Sequence, residues 1–150
     1  LGRLDRRKGL DRALDALVAV PEAELDIVGD GAERGALEAL ATSLGVRDRV
    51  RFAGHASDVR DAIAAADIAL SSAREEGLGV ALLEAMAWVA RSLRGDGFIR
   101  ELARAMRAAI DVPLEERRRR GAAARARVLE TFSVDAMCAG YEAIYTRLAP

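Results

Sequence analysis

The stretch from residue 25 to residue 55, "LDIVGDGAERGALEALATSLGVRDRVRFAGH", decides the fold. It opens with a short apolar run that ends in glycine, and a second such run, "RVRFAG", closes it. Between the two runs, apolar residues recur at the spacing of one helix face: Leu37, Leu40, Ala41 and Leu44. A helix between two short strands predicts a parallel pair, because the chain must cross over to return in the same direction.

The same alternation continues on both sides of this stretch. A helical pattern precedes it at Leu10, Ala13, Leu14, Leu17 and Val18, and another follows at Val59, Ala62, Ile63 and Ala66 before the apolar run "DIALSS". From Arg100 onward the strand signals stop and three helices are expected. The sequence therefore predicts the α/β class, with one domain over residues 1–150 built on an open, doubly wound (Rossmann-like) parallel sheet and C-terminal helices.

Three loops are expected to meet at one edge of this sheet. The segments "VGDG", "FAGH" and "LSSAREEG" each follow a strand, and ligands of open α/β sheets bind beyond the carboxyl ends of the strands. His55 follows the glycine of the second segment. It could face a ligand in this crevice, or it could be a capped or solvated loop histidine.

The segment "GRLDRRKG", Gly2–Gly9, lies where an initial strand is expected to end and the first helix to begin. Gly2 would let the backbone approach a ligand closely, while Arg3 and Lys8 place two cations near a helix N-terminus, which suits a diphosphate. The segment is not a P-loop, because its lysine precedes the second glycine. A charged surface turn is the alternative interpretation.

A carboxylate, Glu84, lies in the otherwise apolar helical pattern "GLGVALLEAMA". A buried charge stripped of its partner costs about 3–5 kcal/mol, so either a protein arginine or a ligand hydroxyl must satisfy it. Glu76 lies eight residues earlier, in the loop just before the same helix, and if both were helical about 12 Å would separate them. This separation suits two ends of one extended ligand, and the intervening Gly77–Gly79 would present backbone N–H groups to an anion.

Taken together, four stretches resemble the sugar-nucleotide domain of the retaining group 1 (family four) glycosyltransferases of the GT-B fold. They are "GRLDRRKG", the stretch quoted first, "AAADIALSS" and "EEGLGVALLEAMA", which holds the E-x7-E spacing from Glu76 to Glu84. The resemblance covers nearly the whole chain, including "FSVDAMCAGYEAIYTRL" near its end. It implies a domain that binds a nucleoside-diphosphate sugar and takes part in transferring the sugar with retention of configuration.

The resemblance also implies a role for each candidate residue. Glu76 would be the catalytic residue that contacts the transferred sugar, and Glu84 would accept hydrogen bonds from the ribose hydroxyls. The implied donor-binding set is Gly2, Arg3, Lys8, His55, Gly77, Leu78, Gly79 and Glu84. No metal or cofactor is implied. The scattered Asp30, Asp67 and Asp96 do not indicate a metal cage either.

The sequence departs from the family pattern in two ways. The N-terminal GT-B domain, which holds the acceptor in the family, is expected to be a missing partner. The abrupt start "LGRLD" also suggests a piece of something larger. We therefore expect the isolated chain to bind the donor and to transfer no sugar. Between Ala87 and Arg100, a strand and its loop are expected to be missing. These departures keep open a non-catalytic, degenerate GT-B-like interaction or regulatory module. A dinucleotide-binding domain is disfavoured because no G-x-G-x-x-G follows a strand.

The charge balance and the cysteine content of the chain limit the kinds of partner and metal site that we expect. With 23 basic and 24 acidic residues the chain has a net charge of -1, which gives no general attraction to nucleic acid. Cys138 is the only cysteine, which excludes an intrachain disulfide and fits a reducing, cytoplasmic compartment. One cysteine and one histidine cannot build an ordinary zinc site.

Two helical segments near the end carry further expectations. "EERRRR", residues 115–120, could give a weak association with the inner membrane surface, but the i,i+4 pairs Glu115–Arg119 and Glu116–Arg120 favour a solvated helix. The last helix has one apolar face, on which Tyr141 and Tyr145 are predicted to pack: Val134, Met137, Cys138, Tyr141, Tyr145 and Leu148.

Overall fold

The computed structural model describes residues 1–74, 83, 91–94 and 99–148. Its strands are β1 (Leu25–Val28), β2 (Val50–Gly54), β3 (Ile68–Ser71) and β4 (Arg91–Arg94). Its helices are α1 (Leu10–Val18), α2 (Arg34–Ser43), α3 (Arg60–Ala65), α4 (Ile99–Ile110), α5 (Leu114–Thr131) and α6 (Val134–Leu148), with short 3-10 turns at Arg6–Lys8 and Arg47–Arg49. The alternation of helix and strand through β3 confirms the predicted α/β class.

The strands form two parallel pairs. Strand β1 pairs with β2, with Leu25 opposite Val50, and β3 pairs with β4, with Ile68 opposite Arg91. Both pairs are parallel, and for β1 and β2 this confirms the prediction from the helical crossover between them. Within the described ranges, however, no ladder joins β1 to β3, so the sheet is in two halves.

Strand β4 lies in the segment from which one strand and its loop were expected to be missing. No strand was predicted at Arg91–Arg94 itself. Its four residues, "RSLR", include one apolar side chain and therefore give no period-2 signal. Pairing with β3, and not local pattern, makes this segment a strand. The expected absence of a strand and its loop between Ala87 and Arg100 stays a prediction.

The core lies where helices α1, α2 and α4 cover β1. Leu14 and Leu17 of α1 are fully buried, and Leu102 and Met106 of α4 pack into the same cluster. The strand contributes Ile27, which is 3% exposed. Burying one such side chain contributes about 1.5–3 kcal/mol, so this cluster is the main source of stability in the described chain.

Helix α6 is different, because its apolar residues are exposed. Val134 and Tyr145 are both 70% exposed, and Tyr141 is 56% exposed. The predicted packing of Tyr141 and Tyr145 is therefore wrong within the part of the chain that the structure describes. The periodic apolar pattern does form a helix, but the chief neighbour of this helix among the described elements is the Arg-rich α5, which covers little of it.

The Arg-rich start of α5 forms ion pairs on its own surface. Glu116 accepts hydrogen bonds from Arg119 at 2.7 Å and from Arg120 at 2.5 Å, and these bonds lower the pKa of Glu116 to about 2. The Glu116–Arg120 pair confirms one prediction. Glu115 pairs with Arg118, three residues on, and not with Arg119. Among the described helices, none has an apolar segment of the length that a bilayer crossing needs.

Candidate functional site

The candidate site lies at the carboxyl ends of the strands. The backbone N–H of Gly29, just after β1, donates to the carbonyl of Gly54 at the end of β2, with 2.7 Å between N and O. Gly2 donates to the carbonyl of Val28 at 2.9 Å. The segments "VGDG" and "FAGH" therefore meet at one edge, as predicted, and the N-terminal segment joins them there.

Two glycines that the sequence analysis did not select make this meeting possible. Gly29 has a φ of +138°, and a Cβ at this position would lie 1.8 Å from the carbonyl oxygen of Gly2. A Cβ on Gly31 would lie 2.4 Å from the carbonyl oxygen of Leu4. Residues 1–4 can therefore press against the end of β1 only where the facing residues have no side chain.

The basic loop that follows is a single capped turn. The carboxylate of Asp5 accepts the backbone N–H of Arg7 at 3.0 Å and so caps the 3-10 turn Arg6–Lys8. Gly9 ends the turn in the left-handed region, at φ +60°, and α1 begins at Leu10. A Cβ on Gly9 would lie 2.2 Å from the carbonyl oxygen of Ser72, so the loop is in direct backbone contact with the end of β3.

Ser72 and Arg74 bind the backbone of this loop. The hydroxyl of Ser72, which is 5% exposed, donates to the carbonyl of Lys8 at 3.1 Å. The backbone N–H of Arg74 donates to the carbonyl of Arg7 at 2.7 Å, and its guanidinium donates to the carbonyl of Arg6 at 3.2 Å. All three carbonyls of the turn are thus held by the chain that leaves β3, and the loop has a fixed backbone.

An ion pair completes this anchor. The guanidinium of Arg74 donates two hydrogen bonds to the carboxylate of Asp11, at 2.7 and 2.5 Å. These bonds lower the pKa of Asp11 below its usual range, and partial burial of the carboxyl opposes the shift only in part. Asp11 is therefore ionised at neutral pH and ties the first turn of α1 to the end of β3.

The predicted cations of the loop lie together beside this anchor. Arg3 is exposed and Lys8 is half-buried, and both line one cavity together with Gly2. The Lys8 side chain passes over Gly2, since its Cε lies 3.7 Å from the position of a Cβ on that glycine. The structure thus brings Gly2, Arg3 and Lys8 together, as predicted. His55 is exposed at the end of β2 and does not line this cavity.

Arg34 adds a cation that the sequence analysis missed. Its guanidinium donates to Glu38 at 3.1 Å and to the carbonyl of Phe52 at 3.3 Å, and it lies 3.7 Å from the carboxylate of Asp30. The same group lies 3.5 Å from the position of a Cβ on Gly54. The contact with β2 connects residues 18 apart in sequence, so no local pattern indicated it.

The remaining predicted site residues, Glu76, Gly77, Leu78, Gly79 and Glu84, lie outside the described residues, and their roles stay predictions. Among the described residues, no group of three or more histidine, cysteine or acidic side chains could hold a metal ion. The described site therefore consists of a rigid, glycine-lined backbone with cations at the mouth of the crevice. Such an arrangement can bind the oxygens of a phosphate or diphosphate.

Residues 1–89 match the sequence profile of the family described as "Glycosyl transferases group 1". Two curated relatives are each similar over more than half of the chain. The lipopolysaccharide core biosynthesis glycosyltransferase LpsE of Rhizobium meliloti is 44% identical over 87 residues, which cover 58% of this chain and 26% of LpsE. The lipopolysaccharide glucosyltransferase WaaG of Escherichia coli is 44% identical over 85 residues, which cover 53% of this chain and 22% of WaaG.

Solved structures extend the likeness to the whole chain. The Anabaena protein Alr3699/HepE, solved in complex with UDP, aligns with a TM-score of 0.86 at 23% identity, over 98% of this chain and 48% of that one. A crystal structure of WaaG aligns with a TM-score of 0.71 at 26% identity, over 99% of this chain and 46% of that one. The chain therefore spans about half the length of these solved proteins, and its match spans about a quarter of the curated relatives.

Proposed function

Because this chain belongs to the group 1 glycosyltransferases and has the fold of their C-terminal GT-B domain, we propose that it binds the nucleoside-diphosphate sugar donor. A second domain would bind the acceptor, and the two together would transfer the sugar with retention of configuration. The donor would be a UDP-, GDP- or ADP-sugar. The HepE structure, solved with UDP, supports this class of ligand.

The observation that supports the proposal best is the fixed basic loop. Ser72 and Arg74 hold all three carbonyls of the turn Arg6–Lys8, so the backbone that carries Lys8 is already ordered. A loop ordered in advance avoids part of the entropy cost of binding. Arg3 and Lys8 would donate charge-assisted hydrogen bonds to the diphosphate and would stabilise the negative charge that develops on it as the sugar departs.

The two glutamates would bind the other parts of the donor. Glu76 would contact the transferred sugar and stabilise positive charge on it, and Glu84 would accept hydrogen bonds from the ribose hydroxyls. The backbone of Gly77–Gly79 would lie against the sugar and phosphate. These roles rest on the E-x7-E spacing and the family, and they need no metal ion.

The second domain is the missing partner in this proposal. The share of the solved relatives that the chain covers, about half, supports it. The acceptor would bind to that domain, so the isolated chain would bind donor without transferring sugar. A non-catalytic, degenerate GT-B-like interaction or regulatory module is the second candidate.

Calorimetric titration of the chain with UDP, GDP, ADP and their glucose or mannose conjugates tests donor binding. We expect saturable binding of one nucleotide class. Lys8→Ala and Arg3→Ala should each weaken it about 10- to 100-fold, because each removes a hydrogen bond from a charged donor. Arg118→Ala is the matched control, because it removes the same kind of cation from an exposed pair on α5 and should leave the affinity unchanged.

Glu84→Gln and Glu76→Gln test the remaining roles in the same titration. Glu84→Gln should weaken binding of the nucleoside diphosphate and of its sugar conjugate alike, whereas Glu76→Gln should weaken only the sugar conjugate. Binding of no member of the panel at millimolar concentration would contradict the proposal. It would favour a module that contacts other proteins.

A further inference from the structure

The ion pair between Arg74 and Asp11 lies beside the basic loop but outside the cavity that the loop lines. Neither residue is among those that line this cavity, whereas Gly2, Arg3 and Lys8 are. Both side chains of the pair are partly exposed, at 37% and 41%. The pair would therefore act on a ligand held by Lys8 through the loop, and not by direct contact.

One guanidinium joins three parts of the chain. The Nη1 atom of Arg74 donates to the carbonyl of Arg6 at 3.2 Å and to the carboxylate of Asp11 at 2.7 Å. The Nη2 atom donates to the other carboxylate oxygen at 2.5 Å. Each of these nitrogen atoms carries two hydrogens, so Nη1 can make both of its bonds at once. The end of β3, the turn Arg6–Lys8 and the first turn of α1 are thereby held together.

These contacts hold the chain on both sides of Lys8. The turn before it is fixed at two carbonyls by the guanidinium and the backbone N–H of Arg74, and the helix after it is fixed at Asp11. The Lys8 side chain then passes over Gly2, with its Cε 3.7 Å from the position of a Cβ on that glycine. The anchor therefore determines the point from which the Lys8 side chain enters the cavity.

A turn that is fixed before the ligand arrives should bind that ligand more tightly. Without these contacts, the turn would lose backbone entropy when the ligand ordered it, and this loss would weaken binding. Ser72 also holds the turn, but it is 5% exposed, so its removal would disturb the interior as well. Arg74 and Asp11 lie at the surface, and their substitution changes the loop with little change to the core.

We propose that Arg74 and Asp11 are positioning residues of the donor site. Their ion pair holds the turn Arg6–Lys8 in the conformation from which the Lys8 ammonium reaches the diphosphate, and neither residue touches the ligand. This inference rests on the proposed function, because it needs a diphosphate bound by Lys8. The pair joins residues 63 apart in sequence, and the sequence analysis gave neither of them a role.

The sign of one substitution separates positioning from a simple effect of charge. Asp11→Asn removes a negative charge, which by itself should strengthen the binding of an anion, whereas loss of positioning should weaken it. The measurement is calorimetric titration with UDP, GDP and ADP. We expect Asp11→Asn to bind the preferred nucleotide about 2- to 5-fold more weakly than the unchanged chain, and Arg74→Ala about 5- to 20-fold more weakly. Arg74→Lys keeps the charge without the planar fork and should also bind more weakly.

A double-mutant cycle shows whether the effect passes through Lys8. In a chain that carries Lys8→Ala, the further change Arg74→Ala should alter the affinity by less than about twofold. Arg51→Ala is the matched control in the unchanged chain. Arg51 also donates two hydrogen bonds to one carboxylate, that of Asp26, but at the amino end of the β1–β2 pair. Its removal should leave the affinity unchanged.

Trypsin gives a second readout, which needs no ligand. It cuts after the arginines and the lysine of the turn Arg6–Lys8, and a backbone that opens more often is cut faster. Arg74→Ala and Asp11→Asn should each be cut there at least about threefold faster than the unchanged chain, and Arg51→Ala at the same rate. Circular dichroism shows whether each variant is folded, and Asp11→Asn decides the question if Arg74→Ala does not fold.

Unchanged nucleotide affinity, or unchanged cleavage of the turn, in both Arg74→Ala and Asp11→Asn would overturn the positioning role and leave the proposed function standing. Tighter binding by Asp11→Asn would also overturn it, because the pair would then act by charge alone. An equal effect of Arg74→Ala with and without Lys8 would do the same, because the effect would not pass through the loop. Failure of the unchanged chain to bind any of the nucleotides would overturn the proposed function and the positioning role together.

Discussion

Residues 1–74 and residues 99–148 differ in how far their apolar side chains are buried. In the first region, Leu4, Leu14 and Leu17 are at most 1% exposed, and the backbone around Leu4 also forms the site. In the second region, α4 packs into the core, but Val134 and Tyr145 of α6 stay 70% exposed. The two regions have similar apolar periodicity and a different degree of burial.

The difference shows how closely the core and the site are connected in the first region. The carbonyl of Leu4 accepts the N–H of Glu33 at 3.1 Å, and its side chain belongs to the core cluster. Because Leu4 is only a few residues from the basic loop, a change in packing around Leu4 should also shift the backbone of that loop. The exposed face of α6 has no such connection to the site in the part of the chain that the structure describes, so changes on it should be nearly silent.

The largest expected effect comes from deleting a core side chain. Leu14→Ala should lower the free energy of unfolding by about 2–5 kcal/mol, because Leu14 is fully buried and the change leaves a cavity. Tyr145→Ala, on the exposed face of α6, should change it by less than about 0.5 kcal/mol. Urea unfolding followed by circular dichroism measures both values. Similar losses for the two variants would break the comparison between the regions.

A smaller effect is expected from two glycines of the first region that have opposite roles. Gly29→Ala should destabilise the protein by about 1–3 kcal/mol, because φ is +138° and the new Cβ meets the carbonyl oxygen of Gly2. Gly35→Ala should stabilise it by about 0.5–1 kcal/mol, because Gly35 lies in α2 with nothing within 4 Å of the new Cβ. Melting temperatures that move in the same direction would contradict the close backbone contact at Gly29.

The smallest expected effect is the pH dependence of the Arg74 anchor. The pKa of Asp11 is lowered in the folded state, so its ion pair stabilises the fold above the unfolded pKa, about 3.9, and this contribution is lost as the pH falls through the lowered value. Arg74→Ala should cost about 1 kcal/mol at pH 7 and less in acid. Arg118→Ala removes one partner of an exposed ion pair and should change the free energy of unfolding by nearly zero at pH 7. A cost of Arg74→Ala that does not change with pH would contradict the role of Asp11.

The sequence was sufficient for those parts of the fold that local patterns define. The period of apolar residues predicted α1, α2 and α3, and the runs around Ile27 and Phe52 predicted parallel strands, which the structure confirms. The position of Gly2, Arg3 and Lys8 at the carboxyl ends of the strands also followed from this order, because topology places all such loops at one edge.

The rest could not be predicted because it depends on contacts distant in sequence. Strand β4 forms by pairing with β3, and its own residues give no strand signal. Ser72 and Arg74 reach the basic loop across 64 and 68 residues, so no spacing rule indicated them. The exposure of α6 was missed for the same reason: periodicity shows that a helix has an apolar face, not whether a neighbour covers it.

The contact between Ser72 and Lys8 has a consequence for the order of events during synthesis. The ribosome makes Lys8 first and Ser72 64 residues later, which takes about 3–13 s at typical elongation rates. The basic loop is therefore made several seconds before its anchor exists. A nascent chain halted before β3 would carry the loop's cations on an open segment, and the loop would reach its fixed backbone only after Arg74 has been made.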